Sequence, residues 1–195
     1  MKELKDMSLE ELWQLFPIIL NEHSSDYTLW YDEAERELLH TLCDFEVCRI
    51  NHIGSTAVKG LIAKPIVDIL LELSSDYDMN RIIILLEDVG WLSMNRNDDA
   101  KTIDLNKGYT PTGFAEKVYH LHIKPSGDWG ELYFRDYLIS HPDTARKYEV
   151  LKLRLKEQHE HDRDAYTQAK SEFIIEYTHK AREKFSGRYL PVGTL

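Results

Sequence analysis

The sequence predicts an α/β protein, with a sheet-containing part over residues 1–125 and a helical section over residues 126–195 packed on it. Three observations carry this. Val47–Ile53 and residues 66–73 are runs of strand length, the second apolar apart from Asp68 and Glu72. Residues 91–124 divide into short strand-like pieces with turn residues between them. After Pro125 the apolar residues recur at helical spacing: Tyr148, Leu151 and Leu155, then Tyr166, Ala169, Phe173 and Tyr177.

The elements follow in order. Ser8 and Glu11 make a Ser-x-x-Glu capping box for a helix over 8–21 that Pro17 kinks or breaks. A second helix covers 28–42, with Trp30, Ala34, Leu38 and Leu42 on one face. Strands at 47–53 and 66–73 come next. Asp76 and Asp78 start a third helix that Gly90 ends, because glycine takes the left-handed closing conformation at little cost. Short strands are expected at 91–95, 101–106 and 118–124, with a loop at 108–113. Helices are expected at 128–140, 143–159 and 162–185, then an irregular tail.

Composition narrows the function classes. With 43% hydrophobic and 30% charged residues, the chain reads as an ordinary globular protein. A net charge of −10 argues against duplex nucleic acid as a partner, since counterion-driven affinity needs surplus Lys and Arg. No run has the length of a membrane span and the start lacks a secretory apolar segment, so no membrane partner and a cytoplasmic location are expected. Cys43 and Cys48 lack metal-site spacing and read as reduced thiols.

The chemistry concentrates in residues 52–73. Gly54 permits a sharp turn and the close approach of a phosphate. Ser55 supplies a hydroxyl and an N–H. On the following strand, Val67, Ile69, Leu71 and Leu73 make a core-facing row, while Ile66, Asp68, Leu70 and Glu72 make the other. A carboxylate among hydrocarbon needs a partner or a cleft, and the upstream Gly-Ser turn favours the cleft. His120 and His122 share one face of the last strand. His52 is placed to orient the turn. The His159–Asp162 cluster ends a helix and reads as solvated.

The 52–73 run, together with Tyr119-His-Leu-His-Ile, Phe134-Arg-Asp-Tyr-Leu and Ala165-Tyr-Thr-Gln-Ala-Lys, closely resembles the GrpB family. These bacterial proteins of unsettled activity look like members of the nucleotidyltransferase superfamily. The resemblance implies a small mixed sheet with helices on one side, then a helical section. It implies a nucleoside triphosphate on Gly54 and Ser55, with Ser55 and Asp68 catalytic. A divalent metal, Mg²⁺ or Mn²⁺, is implied on Asp68, with His122 and His120 as further ligands. Lys64, Arg135 and Lys170 are the implied cations for the triphosphate. The acceptor, a small molecule or a protein, is not specified.

The chain departs from the superfamily pattern at Leu70, where a second acid is usual. Glu72 cannot replace that acid, being about 13 Å from Asp68 along a strand. Asp104 and His122 are the candidates for the third position. Two alternatives stand beside the site assignments: Arg135 pairing locally with Asp136, and Lys152 pairing with surface acids. The expected function is nucleotidyl transfer, with a non-catalytic nucleotide-binding module of degenerate site as the alternative.

Overall fold

The structure is a computed structural model and describes residues 2–191, so the last four residues of the expected tail lie outside it. The capping box forms, with the Ser8 hydroxyl accepting from Glu11 N, and opens α1 (Leu9–Leu15), which stops ahead of Pro17. The sequence then gives α2 (Asp26–Thr41), β1 (Val47–Ile53), β2 (Val67–Leu73) and α3 (Met79–Asp88). Asp78 caps α3 by accepting from Asn80 N and Arg81 N. Three strands follow: β3 (Leu92–Asn97), β4 (Thr102–Thr110) and β5 (Gly113–Pro125). The chain closes with α4 (Gly130–Ser140), α5 (Pro142–His159), α6 (Arg163–Gln168) and α7 (Ser171–Lys184).

The sheet order is β1-β2-β5-β4-β3, with β2 and β5 parallel and the other pairs antiparallel. This is the expected mixed sheet. Its two faces differ because β2 alternates. Val67, Ile69, Leu71 and Leu73 are buried against Leu38 of α2, Leu42 just beyond its end, and Ile82 and Leu86 of α3. Burying such side chains is worth about 1.5–3 kcal/mol each, which makes this layer the main source of stability.

The opposite face carries Asp68, Leu70 and Glu72. In register beside them on β5 stand His120, His122 and Lys124, and beyond those Asn106 and Asp104 on β4. Part of this polar face is covered by the C-terminal helices: Leu70 and Ile53 pack on Leu132 of α4. Glu72 is fully buried and accepts from Arg49 Nε and Nη2, both at 2.7 Å, and from Gly127 N at 3.0 Å. A buried carboxylate is tolerable only with such full partnering. The same Arg49 donates to the Gly127 and Tyr189 carbonyls, so one ion pair ties the sheet to the helical section.

Two expectations are corrected. The loop expected at 108–113 is mostly strand, because Gly108 (φ +90°) sits in a bulge inside β4 and only Pro111 and Thr112 turn the hairpin. The bulge has a consequence for the site. Lys107 reaches Glu37 on the α2 side, yet Tyr109, two residues on, stacks on His120 on the polar face. The helix expected over 162–185 breaks at Ala169–Lys170, where a tight i→i+3 bond from Lys170 N to Thr167 O ends α6.

Candidate functional site: a cationic cavity over the polar sheet face

β1 ends at Ile53, and the chain turns through Gly54 into a single 3-10 turn, Ser55–Ala57. Gly54 has φ +71° and ψ −170°, a region open almost solely to glycine. Its missing side chain makes room for Asp68. A Cβ built there would lie 2.9 Å from the Asp68 Cγ and closer still to Oδ2. The glycine is therefore required by the carboxylate on the neighbouring strand, a reason additional to the phosphate approach read from the sequence. Thr56, buried behind the turn, donates to the Ile66 carbonyl and bonds His52 Nε2 at 3.0 Å. His52 orients the turn as expected. Burial brings its pKa down to about 4, so it is neutral at physiological pH.

Above this face lies a cavity of about 550 Å³. Gly54, Ser55, Lys64, Asp68, His120 and His122 line it from the sheet side, and Lys152, Arg163, Tyr166 and Lys170 from the helices. The break between α6 and α7 puts Lys170 at the start of α7. Seven of the eight residues that the sequence singles out thus meet in one place.

The eighth, Arg135, does not line it. Its guanidinium is spent on Asp136, the Asn51 side chain, the His52 carbonyl and the Tyr189 hydroxyl. The local-pair alternative describes it. Lys152 moves the other way. Instead of pairing on the surface it is 2% exposed, donating to Ser55 Oγ at 3.1 Å and to the Ile62 carbonyl. Arg163 and Tyr109 were missed altogether. The Tyr109 hydroxyl bonds His120 Nε2 at 2.7 Å and accepts from Arg163 at 3.0 Å.

The electrostatics are one-sided. Burial, with the charge of Arg163, brings Lys64 down to about 8. Burial, with the charge of Lys64, brings Lys152 and Lys170 down to about 7. Neither Lys64 nor Lys170 has an ion-pair partner among the described residues; both ammonium groups lie against the Tyr166 ring. The cavity's second carboxylate, Glu131, is neutralised by Lys124. Asp68 is thus the one acid facing four cationic side chains. Burial alone would raise its pKa, but the hydrogen bond from His120 and the nearby charges of His120, His122 and Lys64 outweigh burial and hold it low.

A resident divalent metal does not fit these donors. His120 has both nitrogens engaged, Nδ1 with Asp68 Oδ1 at 3.0 Å and Nε2 with Tyr109. His122 Nδ1 is held by Asp104 Oδ1 at 2.7 Å. The two candidates for a third metal ligand therefore pair with each other. Leu70, at the place of the usual second acid, is fully buried in hydrocarbon. Among the described residues no group of three or more His, Cys, Asp or Glu is arranged to hold a metal ion. Among the same residues, no helix is long and apolar enough to cross a membrane.

The GrpB protein family model matches residues 17–180. A UPF0157 protein of Pseudomonas aeruginosa is 38% identical over 72% of this chain, and the match spans 58% of that relative's length. The crystal structure of the conserved protein GrpB from Enterococcus faecalis is similar at a TM-score of 0.73 and 27% identity, over 86% of this chain and 99% of that one. The Cid1 poly(U) polymerase, solved with MgGTP, is similar at a TM-score of 0.46 and 13% identity, over 74% of this chain and 44% of its own, too slight a likeness to transfer any role. The chain belongs to the GrpB protein family.

Proposed function

We propose that this protein binds a nucleoside triphosphate with its phosphate chain in the cationic cavity. The observation that carries the reading is the surplus of cation. Lys64, Lys152, Lys170 and Arg163 converge where only Asp68 answers them. The four groups repel one another, the three lysines resist full protonation, and a chain of phosphates relieves both costs. Ser55 and the N–H groups of its turn are further donors to phosphate oxygens. Phe134, Tyr148 and Tyr166 offer aromatic walls to a base.

Nucleotidyl transfer to a small-molecule or protein acceptor is the reaction this frame would carry. His122 favours it. Asp104 fixes its Nδ1, and although burial opposes it, the Asp104 hydrogen bond and the Asp68 charge raise its pKa above the ordinary imidazole value. Its Nε2 has no protein partner among the described residues and is the available base for an acceptor hydroxyl. The lysines would stabilise charge on the departing pyrophosphate. Binding without chemistry is the second reading, and the apolar burial of Leu70 favours it.

Calorimetric titration with ATP, GTP, CTP and UTP tests the binding. Saturable binding of at least one is expected, and the reading fails if none binds. Incubation with α-labelled triphosphates, scored for label on any acceptor and for released pyrophosphate, separates transferase from binder.

A further inference from the structure

We infer that the ligand is taken up as the metal-free polyphosphate, with Lys64, Lys152, Lys170 and Arg163 standing where a nucleotidyltransferase would use divalent ions. This rests on the cavity being a phosphate site and goes on to name the ionic form of the ligand. Three observations meet in it. The cavity's open acid is a single carboxylate, and one of its oxygens is already held by His120. The other oxygen lies against Gly54, so the glycine turn and the imidazole enclose the group that would have to coordinate. The remaining charged groups lining the cavity are cationic, apart from Glu131, which Lys124 neutralises.

A divalent ion entering such a field meets net repulsion, while a bare polyphosphate meets net attraction. Complexing the phosphates with Mg²⁺ cancels much of the charge the cavity is built to receive. The role of Asp68 inverts accordingly. As a metal ligand it would be indispensable. Beside a bare polyphosphate it is a repelling charge, kept because it holds His120 and, through His120, Tyr109 and Arg163 in place. Asp68 is then a positioning residue.

The test is a titration of the whole chain with ATP and with inorganic tripolyphosphate, in EDTA and in excess Mg²⁺, at matched ionic strength. ATP is expected to bind at least about tenfold more tightly in EDTA. Tripolyphosphate is expected to bind under the same condition. Asp68→Asn, an isosteric change, should strengthen binding of metal-free ATP. Affinity that requires Mg²⁺, or that Asp68→Asn abolishes in a variant still folded by circular dichroism, overturns the inference and leaves nucleotide binding standing. Tripolyphosphate binding in EDTA with no nucleotide bound would uphold the charge inference and end the nucleotide reading. No binding of either ligand overturns both.

Discussion

Lys152 Nζ lies 3.1 Å from the hydroxyl of Ser55, a residue 97 positions earlier in the chain. The contact joins α5 to the glycine-serine turn across the cavity, and it makes an ammonium group part of the interior. Several consequences can be measured.

The first concerns pH. Lys152 and Lys170 have folded pKa values near 7 and Lys64 near 8, each below the ordinary lysine value. Between about pH 7 and 10 the unfolded chain therefore holds more protons on these groups than the folded one. Stability must rise with pH through that window. Thermal denaturation of the ligand-free protein should show Tm increasing from pH 7 to pH 9, and Lys170→Met should flatten the slope. A Tm that falls over this range would contradict the burial of these lysines.

Ligand binding should reverse the same linkage. Phosphates around Lys152 and Lys170 restore their preference for the charged form, so binding near pH 8 takes up protons. Calorimetry with tripolyphosphate in buffers of different ionisation enthalpy measures this directly. Net uptake is expected. Proton release would rule out phosphate contact with these amines.

Gly54→Ala is expected to be damaging for a local reason. The backbone conformation alone costs a residue with a side chain about 1–3 kcal/mol, and the new methyl meets Asp68. Urea denaturation should show the full loss in the single variant and a partial recovery in Gly54→Ala/Asp68→Ala. Equal losses in the two would mean that the carboxylate is not what the glycine accommodates.

Glu72→Gln separates architecture from site. Glu72 is fully buried with Arg49 and does not line the cavity. Breaking the pair should cost about 3–5 kcal/mol. Affinity for polyphosphate, measured well below the denaturation midpoint, should stay unchanged.

Leu70→Asp, the change that restores the usual second acid, should not create a metal site. Leu70 is fully buried among Ile53 and Leu132, and an unpaired carboxylate there costs several kcal/mol. The variant should unfold at markedly lower urea and show no Mg²⁺-dependent gain in nucleotide affinity.

Alternation in β2 made the two faces of the sheet readable from the sequence, and with them the core row and the half-buried position of Asp68 on the other face. His120 and His122 were legible for the same reason, since a strand of period two puts both on one side. Lys152 was not legible. A lysine in an amphipathic helix reads as solvent-facing, and only the packing of α5 over the Ser55 turn buries it. Tyr109 stayed hidden because it follows a bulge, which shifts the periodicity that a linear reading extrapolates, and Arg163 because a charged residue in the first turn of a helix reads as solvated. Arg135 was misplaced because a charge in a motif does not reveal which way its helix faces.

The division of the cavity between sheet and helices gives the empty and filled protein different internal mechanics. Lys64 stands on the sheet wall, while Lys170 and Arg163 stand on the opposite one, and Lys152 bridges to Ser55. With nothing between them these like charges push the two walls apart, and a polyanion turns the same push into a clasp. Hydrogen exchange in α6 and α7 should slow when the cavity fills, while the buried strands β2 and β5 keep the rates they already have.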